Sequence, residues 1–256
     1  MKVVVIGEIC KDVFIYGKCD RMSPEAPIPV FIPQYSTDNL GMSGNVIANI
    51  QSISDYEIIG IHNQNTITKT RYVDGKSNHL FLRVDEGEEM VESLKLNEEL
   101  RNIIKTADIT IVSDYDKGFL DNNTLFDIGF LSKMSIIDTK KILTPQLIEI
   151  YNFIKLNRDE FRRNVEHFDH TKGKIDNLYH KTIITEGMDG AKFQGIRYPS
   201  VSPKETIDVS GAGDTFTASF IIKYMETFNI EESIVYANEM SSIVVSKRGV
   251  STPYEV

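Results

Sequence analysis

The sequence predicts an α/β protein: a doubly wound, mostly parallel sheet with helices on both faces, plus a small β-sheet lid. Three observations carry this expectation. Short β-branched apolar runs without polar alternation recur along the chain, as strands buried on both faces require. Helix-period apolar stripes lie between them. Two stretches rich in β-branched and aromatic residues break that rhythm.

The runs are "VVVIGE" (3–8), "ITIVSDYDKG" (109–118), "MSIIDTKK" (134–141), "FIKLNRDE" (153–160) and "TIITEGMDG" (182–190). Each ends in polar or glycine residues. In this fold class ligands gather beyond the carboxyl ends of the strands, so five polar ends on one rim point to a site there. Between the runs, "NVIANIQSI" (45–53) sets Val46, Ile50 and Ile53 on one helix face. Phe216, Phe220, Tyr224 and Phe228 recur every four residues, and the spacing of Asn229 and Glu232 is that of a capping box opening the next helix.

The exceptional stretches are 12–36 and 66–86. The second reads as a hairpin turning at "DGKSN". Together they form either a lid or a plain sheet extension of one large domain spanning 1–256.

Composition narrows the function class. The chain has 256 residues, 41% hydrophobic and 25% charged, with a formal charge of −9, which argues against nucleic acid and anionic membrane surfaces as partners. Cys10 and Cys19 make no disulfide framework, and a reducing compartment fits best. His167 and His170 have no cysteine near enough to complete a zinc site. No apolar run has the length of a membrane span and the first residues do not read as a signal peptide, so the expected location is cytoplasmic.

The most informative stretch is "ETIDVSGAGDTFTASF" (205–220). A small glycine turn entering a helix presents unpaired N–H groups at the positive end of the helix dipole, an anion site. Asp214 would repel phosphate there unless it takes the proton of an attacking hydroxyl. From these residues alone, a helix cap is an equal reading. Asn157 and Glu160 in "KLNRDEF" suit Mg²⁺ held through waters, or equally a helix N-cap. "TEGMDG" admits close approach of a nucleotide, or is simply a tight loop. No GxxxxGK[ST] loop or GxGxxG after the first strand is present.

With "DVSGAGDTF" and the order of these motifs, the chain resembles the ribokinase-like (PfkB) carbohydrate kinases along nearly its whole length. "YGKCDRMSPEAPIPVF", "TITKTR", "SDYDKG", "IDTK" and "KRGVSTP" are similar to the kinase half of the bifunctional heptose-7-phosphate kinase/heptose-1-phosphate adenylyltransferases. The resemblance implies ATP-dependent phosphorylation of the anomeric hydroxyl of a heptose 7-phosphate, with Mg²⁺ and a monovalent cation such as K⁺, for surface-glycan synthesis. It makes Asp214 the base and Gly211, Ala212 and Gly213 the anion hole. Asp12, Gly41 and Asn45 would hold sugar hydroxyls, and Thr185, Gly187, Gly190 and Asn238 the nucleotide. Asn157 and Glu160 would serve Mg²⁺, and Asp208, with carbonyls near Ser210 and Gly249, the monovalent cation. A substrate that already carries a phosphate needs extra cations, for which Lys117, Lys140, Arg21, Arg71 and Arg83 are candidates. The resemblance also implies a homodimer formed through the lids and a separate nucleotidyltransferase in the pathway.

The sequence departs from the family in places. "GMSGN" sets Met42 where a glycine is usual, at the approach to the sugar. A strand, an acidic loop and a helix normally follow the position of Ile61, yet here Thr66 follows almost at once. Trimming is also expected between Phe168 and Lys181. These losses keep two alternatives open: a kinase for another sugar or sugar phosphate, and a non-catalytic sugar-phosphate binder.

Overall fold

The computed structural model describes residues 1–168, 175–200 and 207–254. Strands β1 (Lys2–Gly7), β2 (Ile9–Met22) and β3 (Pro29–Met42) lead into helix α1 (Ser43–Ile53). Then come β4 (Glu57–Ile61), β5 (Ile67–Asp74), β6 (Leu80–Glu86), α2 (Glu98–Thr106), β7 (Ile109–Asp114), α3 (Asn122–Leu131), β8 (Ser135–Thr139) and α4 (Pro145–Ile150). The chain continues through β9 (Phe153–Asn157), α5 (Arg158–Phe168), α6 (Ile175–Lys181), β10 (Thr182–Thr185), β11 (Ala191–Phe193), β12 (Ile196–Tyr198), α7 (Ala212–Thr227) and α8 (Ile230–Val244).

Eight strands form one sheet in the order β12-β11-β10-β9-β8-β7-β1-β4. The six from β10 to β4 run parallel, and β11 and β12 are antiparallel additions at one edge. All five apolar runs are strands of this parallel stretch. Their side chains divide between two cores by the period of two. Val3, Val5, Ile109 and Ile111 pack under α1, α7 and α8, against Val46, Ile50, Phe216, Phe220 and Ile234. Val4, Ile6, Val112 and Ile137 face the other way, against Ile104 of α2, Leu125 and Ile128 of α3, and Leu147 of α4. Each apolar side chain buried this fully stabilises the fold by about 1.5–3 kcal/mol.

The helix stripe holds through Phe216, Phe220 and Tyr224, whose rings stack 6.5 and 6.1 Å apart. Phe228 lies just past the helix end in the left-handed region and is exposed. Asn229 caps α8 by accepting from the Glu232 N–H at 3.2 Å. The Glu232 carboxylate pairs with Lys223 instead of reaching back, so only half of the predicted capping box forms.

The exceptional stretches make a second sheet, β3-β2-β5-β6. The turn after β5 is closed by Asp74 Oδ1, which accepts from the N–H groups of Lys76 and Ser77 and from the Ser77 hydroxyl. Edge strand β4 passes to β5 through residues 62–66 alone. Side-chain amides secure this short link: Asn63 bonds both the N–H and C=O of Ile9 and the C=O of Asn65, and Asn65 donates to the Gly87 carbonyl. Among the described residues, no helix is long and apolar enough to cross a membrane.

Candidate active site

Because the central strands are parallel and in register, Glu8, Tyr115, Lys140, Asn157 and Thr185 all fall at or just beyond the same sheet edge. The N-terminus of α7 points to this rim. Gly211 precedes the helix at φ 82°, in the left-handed region that favours glycine, and no side chain caps the helix. A Cβ on Gly211 would lie 2.6 Å from Asn45 Nδ2, and one on Gly213 would lie 2.9 Å from Lys155 Nζ. Asp214 is therefore in the first turn and not at the cap.

Asp214 is 4% exposed. Its Oδ2 accepts from Asn45 Nδ2 at 2.9 Å and its Oδ1 from the Tyr115 hydroxyl at 2.7 Å. Burial pushes its carboxyl up to about 6, and Asp138 adds to the rise. The Asn45 and Tyr115 hydrogen bonds and the Lys155 charge act in the opposite direction.

Two cations stand at the rim. Lys155, on β9, donates to Asp138 Oδ2 at 2.8 Å, and the same oxygen accepts from Thr217 Oγ1 at 3.2 Å. Lys140 Nζ lies 2.5 Å from Glu160 Oε1 and 5.4 Å from the centre of the Tyr115 ring. Burial works against the Lys140 charge, but Asp138 and Glu160 outweigh it and raise its proton affinity. Asn157 and Glu160 form a reciprocal capping box at α5, with Glu160 Oε2 accepting from the Asn157 N–H at 2.7 Å and Asn157 Oδ1 from the Glu160 N–H at 2.9 Å. The N-cap reading of this pair is thus a structural fact. Among the described residues, no group of three or more His, Cys, Asp or Glu side chains is placed to hold a metal. The ring of His167 lies against Phe168, and His170 falls outside the described residues, as do Glu205 and Thr206 of the glycine-turn stretch.

A cavity of about 490 Å³ runs from Asp214 and Gly211–Gly213 past Lys140, Lys155 and Asn157 to Thr185, Gly187, Gly190 and Asn238. Val209, Phe216 and Val245 give it an apolar wall. Gly190 sits at φ 86°, where a Cβ would overlap the Tyr198 carbonyl. Asn238 Nδ2 donates to that carbonyl at 2.9 Å, fixing the strand end beside the cavity.

Asn45 lies in α1, which directly follows β3 of the smaller sheet. There Asp12 pairs with Arg71, whose guanidinium lies 5.1 Å from the Phe14 ring. A Cβ on Gly41 would overlap Asp12 Oδ2, so only glycine fits. Lys117 bonds Glu88 at 2.6 Å, and Lys69 approaches the same carboxylate at 3.1 Å. Of the five cations named for the second phosphate, only Lys140 lines the cavity, and Arg71 is taken up by Asp12. Lys117 is held by Glu88, and Arg21 is exposed opposite Val30 on the smaller sheet. Arg83 is exposed and pairs with Asp85. Asp208, Ser210 and Gly249 do come together, but through amides: Asp208 accepts from the Ser210 N–H at 2.9 Å and the Gly249 N–H at 3.2 Å.

Met42 has φ 57° and ψ −131° and is buried with Cys10 and Ile67 against Val91 and Tyr115. Its bulk is part of a small apolar cluster. The sequence reading missed Glu8, the partner role of Tyr115, and the Asp138–Lys155 pair. A lysine inside the apolar run "FIKLN" and an aspartate inside "SIID" were the available signals, since a charge in a buried strand needs a partner.

Residues 53–256 match the family described as pfkB family carbohydrate kinase. The bifunctional protein HldE of a Nitratiruptor species is 28% identical over 295 residues, covering 98% of this chain and 63% of the relative. That of Helicobacter pylori is 28% identical over 300 residues, covering 97% and 63%. The chain thus spans about 63% of the length of these relatives, and alignments longer than its 256 residues mean they carry stretches it does not. Arabidopsis thaliana ribokinase, solved with ribose and ATP, superposes with a TM-score of 0.71 at 15% identity, over 97% of this chain and 93% of that one. Escherichia coli phosphofructokinase-2, solved with potassium, gives 0.72 at 13% identity, over 97% and 93%. The structural likenesses establish the ribokinase fold, and the match over most of the sequence establishes more: the chain belongs to the pfkB family of carbohydrate kinases, phosphotransferases that act on a sugar hydroxyl.

Proposed function

We propose that this kinase transfers the γ-phosphoryl group of ATP to the anomeric hydroxyl of D-glycero-D-manno-heptose 7-phosphate, giving the 1,7-bisphosphate. The observation that carries this is the position of Asp214. It is a buried carboxylate in the first turn of an uncapped helix, beside a glycine cradle and bonded by Asn45. The choice of sugar rests on "SPEAP", "SDYDKG", "IDTK" and "KRGVSTP".

In this reading Asp214 accepts the proton of the acceptor hydroxyl as its oxygen bonds to the γ-phosphorus. The bond from that phosphorus to the bridging oxygen breaks, and ADP leaves. The N–H groups of Gly211 and Gly213 and the helix dipole stabilise the charge on the phosphoryl oxygens, joined by the Ala212 N–H if it leaves the Val209 carbonyl, with Lys155 behind Gly213. Thr185, Gly187, Gly190 and Asn238 line the far end of the cavity, where the nucleoside would lie. Mg²⁺ on the triphosphate would neutralise its charge. Both Glu160 oxygens are engaged while Asn157 stands in the cavity wall, so this pair fits contact through waters and not direct ligation. Asp208, where the loops before α7 and after α8 meet, is the candidate for a monovalent cation. Lys140 in the cavity wall is a candidate for the second substrate phosphate, and Lys117 and Arg71 become available if Glu88 and Asp12 release them. Pairing of two copies through the smaller sheet is supported by its exposed Ile32, Tyr35, Leu80 and Leu82.

The test is ADP release with Mg-ATP and a panel of heptose 7-phosphate, fructose phosphates and unphosphorylated sugars, alongside Asp214→Asn. Turnover on the heptose phosphate alone, lost in the variant, supports both substrate and base. Turnover on another sugar overturns the substrate, and binding without any turnover overturns the kinase reading of this site.

A further inference from the structure

Each oxygen of the Asp214 carboxylate is held by one donor: Tyr115 Oη on Oδ1 at 2.7 Å and Asn45 Nδ2 on Oδ2 at 2.9 Å. The donors come from the turn after β7 and the first turn of α1, remote in sequence. The tyrosine is itself fixed. Glu8, fully buried at the end of β1, accepts from the Tyr115 N–H at 2.9 Å through one oxygen. Its other oxygen accepts from Lys117 and Phe119 at 3.0 and 3.3 Å. The Tyr115 ring packs against the cluster of Cys10, Met42 and Ile67, and the Lys140 ammonium lies over its face.

Burial favours the protonated form of Asp214, and so does the Asp138 charge from β8. Lys155 on β9 and Lys140 beyond β8 oppose them. A protonated Asp214 cannot take the sugar's proton. Donors fixed in advance are the remaining means of keeping it charged.

We propose that Tyr115 is a positioning residue of the phosphoryl transfer, its hydroxyl orienting the Asp214 carboxylate and holding it in the ionised form that accepts the acceptor's proton. This rests on Asp214 being the base. Tyr115 donates a hydrogen bond and keeps its proton, because burial and the adjacent Asp214 push its phenol well above the usual range.

The experiment is a ¹³C NMR titration of aspartate-labelled protein. The Asp214 resonance is assigned by its loss in Asp214→Asn, and wild type is compared with Tyr115→Phe. The phenylalanine keeps the ring packing, and thermal melting checks the fold. The expected midpoint is near 6 in the wild type. In Tyr115→Phe it rises by about one pH unit, a tenfold gain in proton affinity, and the acid limb of kcat/KM for the accepted sugar moves up with it. An unmoved midpoint in the folded variant overturns the proposal. So does activity lost equally at every pH. The titration needs no substrate, so failure of the sugar assignment leaves this test standing and is recognised separately.

Discussion

The ammonium of Lys155 lies 2.8 Å from Asp138 Oδ2, and both side chains are nearly inaccessible to water. A Cβ on Gly213 would come within 2.9 Å of the same ammonium, so the pair sits directly behind the glycine cradle. Removing the cation alone leaves a buried carboxylate uncompensated, which costs about 3–5 kcal/mol. Lys155→Ala is therefore expected to unfold at markedly lower urea. Lys155→Met combined with Asp138→Asn is expected to recover most of that stability without recovering ADP release. Recovery of turnover in the double variant would show that the lysine only balances Asp138.

The two glycines of the cradle separate strain from obstruction. Gly213→Ala presses on the Lys155 ammonium that Asp138 holds, while alanine favours the helix by up to about 1 kcal/mol. Its melting temperature is expected to fall less than that of Lys155→Ala, while kcat falls by about 10²-fold as the methyl group displaces the Lys155 ammonium from behind the cradle. Gly211→Ala adds left-handed backbone strain of about 1–2 kcal/mol and presses on Asn45 Nδ2. It is expected to lose both stability and activity. Thermal melts and single-turnover rates on the same preparations distinguish the two.

Asp214→Asn is expected to abolish turnover and yet stabilise the protein above pH 6. The folded-state carboxyl titrates at about 6, above its ordinary value of 3.8. Between those values the native state keeps a proton that the unfolded chain has lost, so the wild type loses stability as pH rises through this window. The penalty is absent below about pH 4 and fully present above 6. Removing it contributes roughly 1–3 kcal/mol at pH 7.5 and nothing at pH 4. Denaturant titrations of both proteins at the two pH values check the sign.

Met42 combines a buried side chain with a positive φ. Met42→Ala discards the packing and keeps the strain, at about 2–5 kcal/mol. Met42→Gly discards the same packing but relieves strain of about 1–3 kcal/mol. The glycine variant is therefore expected to be the more stable of the two, a reversal of the order at an ordinary helix position. Urea unfolding decides it.

Much of the rim was legible in the sequence because parallel strands announce themselves as apolar runs and place their polar ends together. "ITIVSDYDKG", "MSIIDTKK" and "FIKLNRDE" became β7, β8 and β9, and Asn157 and Thr185 at the strand ends line the cavity. The cations were harder. Arg21, Lys117 and Lys140 were equivalent candidates until the fold left Arg21 exposed, tied Lys117 to Glu88 and brought Lys140 to the wall. A long flexible side chain carries little sequence information about where its charge will rest.

What the sequence determined by itself was the period of the strands, the glycine turn with its aspartate, and hence the fold class and the kind of chemistry. These depend on residues close together in the chain. Tertiary structure decided what holds Asp214. Tyr115, Asn45, Asp138 and Lys155 come from four separate elements, and their hydrogen bonds, charges and shared burial exist only once the sheet has closed around them. The proton affinity of a carboxylate is a property of that surrounding, and no local motif encodes it.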